Sequence, residues 1–345
     1  MKVEVNIPCC VCNNLDSHEL FDVEFLTHTY PGLFHIRKCN ECGLIFNSPR
    51  LPDEKFPELY LDSYYFYKKS NQEAFFRTIQ IYQRTVALLD ENIKNKEVLE
   101  IGSAKGYLLA VMKRLGWKVQ GIDISTVAAD FAKRKLKVTT EQGRLEDYVK
   151  KTGSDKKKFP LILAIDVIEH VLYPKQFIED IAGITAPDGK VIIDTPNGNA
   201  ANIDLDQGGW KGFNPFHVFL FSVDNLTTMF AEHGFVVEKA FSYNNDDLKS
   251  NNNSNLSGAV KKTSPNNAKH VVKEMLKKVG LFDMGVAAYQ FYEKLYDNLL
   301  NKHVGEACRE IEKGQTYFHT PDSKGPYEEN CRGDNLVVIF RKNFA

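Results

Sequence analysis

The spacing of apolar positions changes character partway along this chain. Between Phe75 and Leu89, the residues Phe75, Ile79, Tyr82, Val86 and Leu89 recur at steps of three and four, the period of a helix with one buried face. From Glu97 onward, short continuous apolar runs alternate with helical patterns. Val98–Ile101, Trp117–Ile122, Leu161–Ile165 and Lys190–Asp194 read as buried strands. Tyr107–Leu115, Thr126–Lys135 and Pro174–Ile184 read as the helices between them. Strands that are apolar throughout, joined by helices, predict a mainly parallel sheet covered on both faces.

Phe235–Phe241 and the final run Asn335–Phe340 add two more strands. Between them, residues 242–267 are dense in Asn, Ser, Asp and Lys and predict a flexible segment. Helical patterning in 268–330 predicts an insertion before the last strand, placed to act as a lid and offering an amphipathic surface for a homodimer. Three regions follow: a cysteine-bearing module at 1–50, an aromatic and helical connector at 51–95 covering the site, and an α/β domain at 96–345.

Composition adds exclusions. A formal net charge of -1 gives no basic surface for a nucleic-acid backbone, so no nucleic-acid partner is expected. No run approaches the roughly 20 apolar residues of a membrane span. The opening MKVEVNIPCC lacks the apolar stretch of an export signal, so a cytoplasmic location with reduced thiols is expected.

The chemistry concentrates at strand ends. Val98-Leu99-Glu100-Ile101 runs into Gly102-Ser103-Ala104-Lys105-Gly106, a turn whose glycines let backbone N–H groups approach a ligand. About twenty residues on, Asp123 ends the next strand, where a carboxylate can accept both hydroxyls of a ribose. A third motif, Asp166-Val167-Ile168-Glu169-His170, follows the strand Leu161–Ile165.

Together these motifs resemble those of class I S-adenosylmethionine-dependent methyltransferases, over roughly Lys96–Phe241 plus the last strand. The resemblance implies a Rossmann-like seven-stranded sheet and S-adenosylmethionine as cofactor. It implies that Gly102, Ser103 and Gly106 shape the cofactor turn, that Glu100 organises the methionine amino group and that Asp123 binds the ribose. Leu145 would wall the adenine and Asp166 would stand near the transferable methyl. Ala104 departs from the family pattern, which has glycine there.

An alcohol acceptor needs a base, and histidine suits that work near neutral pH. His217, in Asn214-Pro215-Phe216-His217-Val218-Phe219-Leu220-Phe221-Ser222, resembles the acceptor-facing histidine of zinc-bearing sugar and small-molecule methyltransferases. His170 is the second candidate, and Asp166, Glu169 and His170 resemble a set tied to a divalent metal in relatives that methylate quinone precursors. Trp210 and Phe213 are placed to line an acceptor site, and the run Tyr60, Tyr64, Tyr65, Phe66, Tyr67 to pack or close over it.

Cys9-Cys10-Val11-Cys12 and Cys39-Asn40-Glu41-Cys42 form two C-x-x-C pairs, the pattern of a closed, structural four-thiolate zinc site at Cys9, Cys12, Cys39 and Cys42. Such a ribbon on this core resembles bacterial enzymes acting on nucleotide-linked sugars, polysaccharide precursors or secondary metabolites. O-methylation of a small hydroxylated acceptor is the leading expectation. C- or N-methylation, and a binding module without turnover, are the alternatives.

Overall fold

The computed structural model describes residues 7–25, 32–54, 71–89, 93, 95–153, 157–244, 286–314 and 331–343. The aromatic run at Tyr60–Tyr67 and residues 245–267 of the flexible segment expected at 242–267 lie outside them, whereas Ser242 and Tyr243 belong to a strand. Two sheets carry the fold. The larger contains β4 (Glu97–Ile101), β5 (Lys118–Asp123), β6 (Thr140–Gln142), β7 (Phe159–Ile165), β8 (Thr185–Pro196), β10 (Phe235–Tyr243) and β11 (Asn335–Lys342), in the order β10-β11-β8-β7-β4-β5-β6. Strands β4 to β8 are mutually parallel, and β11 enters antiparallel to both β8 and β10. This is the Rossmann-like seven-stranded arrangement implied by the resemblance, with the mainly parallel order expected from the alternation.

Alternate residues of each strand feed opposite faces, which explains the continuous apolar runs. Leu99, Ile162, Ile193 and Val338 pack under α4 (Leu145–Thr152), α5 (Pro174–Ile184) and α7 (Val223–Ala231). Val98, Leu161, Ile192 and Val337 pack under α1 (Asn71–Arg84) and α2 (Tyr107–Arg114). Helix α3 (Thr126–Phe131) starts on a Ser125 side-chain cap and ends in a π-type turn at Ala132–Leu136, inside the single helix expected there.

The segment expected as a lid contributes one described helix, α8 (Val286–Glu312). Its Leu300, Val304 and Ala307 join Phe75, Leu108 and Val111 in the second core, so α8 buttresses α1 and α2. Among its described side chains none lines the cavity described below. Leu300, Val304 and Ala307, part of the amphipathic surface expected to be available to a homodimer, are buried within the chain. No described helix is long and apolar enough to cross a membrane.

The smaller sheet has the order β1-β2-β3-β9, with β1 (Ser17–Phe25), β2 (Gly32–Cys39), β3 (Ile45–Asn47) and β9 (Phe219–Leu220). Strand β9 comes from the α/β region, so the cysteine module is completed by a strand from beyond its own boundary. Cys9, Cys39, Leu44 and Phe46 share a core with Phe219, Phe221 and the large sheet.

Candidate active site

The carboxyl ends of β4, β5, β7 and β8 open into one cavity of about 1170 Å³. The strand order reverses between β4 and β7, the place where open α/β sheets leave a crevice for a ligand. Gly102, Asp123, Leu145, Asp166, His170 and His217 all line it. Glu100, Ser103 and Gly106 do not line it; they build the turn from beneath.

That turn is specific in its demands. Gly102 and Gly106 have φ of 72° and 73°, which side-chain-bearing residues rarely adopt, and a Cβ on Gly102 would lie 2.5 Å from Val167 Cγ2. Ala104, where the family pattern has glycine, is itself left-handed at φ 44°. Asp123 holds it there: Oδ2 accepts from the Ala104 N–H at 2.6 Å, and Oδ1 from the Ser125 N–H at 2.8 Å. Asp123 thus ties the turn after β4 to the end of β5 while presenting a carboxylate to the cavity.

The electrostatics are unbalanced. Burial pushes the Asp123 carboxyl above its ordinary range, partly offset by its two N–H donors. Burial and the nearby Asp123 charge push Glu100 well above its own, and Glu100 Oε2 is buried with no hydrogen-bond partner. Two neighbouring carboxyls without a cation between them are a receptive environment for positive charge.

Helix α1 forms another wall, through Glu73, Phe76, Arg77, Gln80 and Arg84. Arg77 forms an ion pair with Asp166, which has a φ of 53°. Arg84 Nε donates to Asp194 Oδ2 at 2.7 Å with both side chains no more than 2% exposed. The Tyr243 hydroxyl donates to Asp194 Oδ1 at 3.0 Å, and the Arg84 guanidinium lies 4.8 Å from the Tyr243 ring centre. Neither arginine was singled out from the sequence. The available signal was Asp194, a carboxylate inside the apolar run Val191–Asp194, which needs a buried cation.

The structure brings His170 and His217 together, with ring centroids 4.9 Å apart, and places Glu169 beside them. Glu169 is fully buried; its Oε2 accepts from Thr195 Oγ1 at 2.9 Å, and its Oε1 lies 3.9 Å from His170 Nε2. His217, not Asp166, is the third member of this cluster. His170 Nδ1 meets the Phe216 carbonyl at 2.8 Å, and His217 Nδ1 meets the Gly212 carbonyl at 2.7 Å. A carbonyl only accepts, so each Nδ1 carries the hydrogen and each Nε2 the lone pair in the neutral ring. Burial, reinforced by the neighbouring His170, lowers the His217 pKa to about 3. Burial lowers that of His170 as well.

Trp210 lines the cavity but is only 5% exposed, with its Nε1 donating to Asp334 Oδ1 at 2.8 Å. Phe213 does not line the cavity and packs edge-on against Trp210 in a small core with Val23 and Ile36. The pair supports the loop before His217 more than it offers a flat acceptor face.

Away from the cavity, the four sulfurs of Cys9, Cys12, Cys39 and Cys42 lie within 4.8 Å of one another. Cys9 Sγ is 3.4 Å from Cys42 Sγ, and Cys12 Sγ is 3.5 Å from Cys39 Sγ. Zinc–sulfur bonds of about 2.3 Å set tetrahedral edges near 3.8 Å, so the thiol cage has the right size. Each knuckle closes with a backbone bond, Asn13 N to Cys9 O at 2.9 Å and Gly43 N to Cys39 O at 3.1 Å. Asn13 and Gly43 are left-handed, at φ 61° and 71°.

Residues 72–240 match a family described as a methyltransferase domain. A ubiquinone biosynthesis O-methyltransferase of Actinobacillus pleuropneumoniae serotype 7 is 32% identical over 108 residues, 30% of this chain and 46% of that protein. One from Coxiella burnetii is 30% identical over 112 residues, 31% of this chain and 46% of that protein. The chain spans about half the length of the curated relatives it matches. A solved SAM-dependent methyltransferase from Archaeoglobus fulgidus aligns with a TM-score of 0.44 and 15% identity, over 81% of this chain and 100% of that one.

Proposed function

We propose, from the match of residues 72–240 to a methyltransferase domain family, that the protein transfers a methyl group from S-adenosylmethionine to a hydroxyl of a sugar or other small hydroxylated metabolite. The observation that carries the reading is Asp123, a cavity-lining carboxylate locked to the Gly102–Gly106 turn at the point where the strand order reverses.

The residues present fit the cofactor. Asp123 would accept the ribose hydroxyls, Leu145 would wall the adenine, and Gly102 would let the chain pass close to the ligand. Asp123 would supply negative charge, and a cationic ligand would favour ionisation of Glu100 beneath the turn; Ser103 and Gly106 hold the turn's shape. Asp166, paired with Arg77, stands at the reactive end. When bound, the cofactor supplies an electrophilic methyl on a positive sulfur.

The chain's own chemistry is proton management. With Nδ1 held by the Gly212 carbonyl, His217 offers its Nε2 lone pair to an acceptor hydroxyl. Its depressed pKa keeps Nε2 unprotonated throughout the physiological range and makes it a weak base, an effect that the Asp166 charge partly offsets. His170 lies close enough that the pair takes up only one additional proton at a time, and the Asp166 charge favours that proton's arrival. His217→Ala is expected to lower kcat at least about a hundredfold, the usual scale for loss of a general base. A labelled-methyl assay over a panel of hydroxylated acceptors checks this; near-normal turnover removes His217 from the role. Label recovered on carbon or nitrogen would instead select the alternative acceptor classes.

Cys9, Cys12, Cys39 and Cys42 are proposed to hold a structural zinc ion, because closed four-thiolate coordination leaves no position for substrate. Metal analysis of the purified chain is expected to find a single zinc ion, lost in Cys39→Ser. A metal-free, fully folded protein would refute this.

A further inference from the structure

A short relay of hydrogen bonds joins the cysteine module to the two histidines. Asn47 closes β3 and is 3% exposed. Its backbone N–H donates to the Val218 carbonyl at 3.0 Å, and its Nδ2 donates to the Asn214 carbonyl at 3.0 Å. Asn214 Oδ1 in turn accepts from the N–H groups of Phe216 and His217, each at 3.0 Å. The loop folded in this way delivers the Phe216 carbonyl to His170 and the Gly212 carbonyl to His217. Val218, next along, donates its N–H to the Glu169 carbonyl at 2.7 Å, so the same strand is fastened on its other side to the motif that bears His170.

We propose that Asn47 is a positioning residue through which the four-cysteine ribbon sets the orientation and tautomer of His217, and with it of His170. The ribbon is then an internal scaffold of the active site, since its last strand holds the loop that aims both rings. Removing the Asn47 amide takes a buried donor from the Asn214 carbonyl, which shifts the balance between loop conformations. Gly212 shows how little room the loop has: a Cβ there would lie 2.1 Å from the Trp210 ring, which Asp334 holds in place.

A second link makes the idea separable from simple docking. Asn225 Nδ2 donates to the Cys42 carbonyl at 2.9 Å and ties the ribbon to the start of α7, without touching the histidine loop. Removing it loosens the ribbon's attachment and leaves the Asn47–Asn214 bond in place.

The catalytic consequence rests on His217 acting as the base, but the geometry can be scored without turnover. The test is two-bond proton–nitrogen correlation NMR of the zinc-loaded, nitrogen-15-labelled full chain, which distinguishes Nδ1–H from Nε2–H imidazoles. In the unmodified protein both rings are expected as Nδ1–H. Asn47→Ala and Asn214→Ala are each expected to lose that signature at His217 while zinc content stays unchanged. Asn225→Ala is expected to keep it. Unchanged tautomers in Asn47→Ala overturn the proposal, as does an equal loss in Asn225→Ala. Should Asn47→Ala fail to fold, Asn214→Ala decides, and an unchanged His217 signature there overturns it. Loss of turnover in His217→Ala bears only on the base, so the two ideas fail separately.

Discussion

Asp123→Ala is expected to weaken binding of S-adenosylmethionine and its demethylated product by roughly 10²–10⁴-fold, corresponding to about 3–6 kcal/mol. The range follows from two hydrogen bonds to a charged acceptor, each worth about 1.5–3 kcal/mol. It is a lower bound on the physical effect, because the same carboxylate also accepts from the Ala104 and Ser125 N–H groups. Without it, Ala104 has no reason to stay left-handed, and the turn loses the shape that admits the ligand. Asp123→Asn separates the contributions, since its carbonyl oxygen can replace one of the two carboxylate oxygens that accept from backbone N–H groups. It should fall between the wild type and the alanine variant. Calorimetric titration with S-adenosylhomocysteine measures all three, and an alanine variant within threefold of wild type would remove Asp123 from the site.

The second large effect concerns stability. Arg84→Met is expected to cost about 3–5 kcal/mol, because it leaves the Asp194 carboxylate in the interior with only the Tyr243 hydroxyl for company. Burial already raises the Asp194 carboxyl above its ordinary range, with Arg84 as the main opposing influence. Arg84→Met/Asp194→Leu should recover most of the loss, since replacing a whole buried pair with apolar groups is often near neutral. Urea unfolding of the single and double variants is the measurement. A double variant no more stable than Arg84→Met would mean that the residues act separately. Because Arg84 and Tyr243 also line the cavity, the double variant further reports whether this pair shapes the acceptor end.

The features legible in the sequence were local ones. The strand, turn and helix from Val98 to Leu115, the acid closing β5 and the motif Asp166–His170 each depend on a few consecutive residues, and the structure places them around one cavity. The thiol cage was legible for the same reason, as two short knuckles. Long-range pairings were not. Strand β9 has only two residues, Phe219 and Leu220, too few for periodicity to declare it, and its partner β3 lies in the cysteine module. The polar side of α1 reads as solvated from spacing alone, yet Arg77 and Arg84 face carboxylates presented by β7 and β8. Phe213 looked like an acceptor platform from its position next to His217, but an aromatic side chain beside a site is equally suited to pack beneath it. What the helical patterning of 268–330 could not convey was which face of the sheet it would cover.

The most direct test is calorimetry of the zinc-loaded full chain with S-adenosylmethionine and S-adenosylhomocysteine. Saturable heat with one equivalent of either, abolished in Asp123→Ala, is the predicted result. No heat from either compound, in protein shown to be folded, would contradict the assignment of this cavity to methyl transfer.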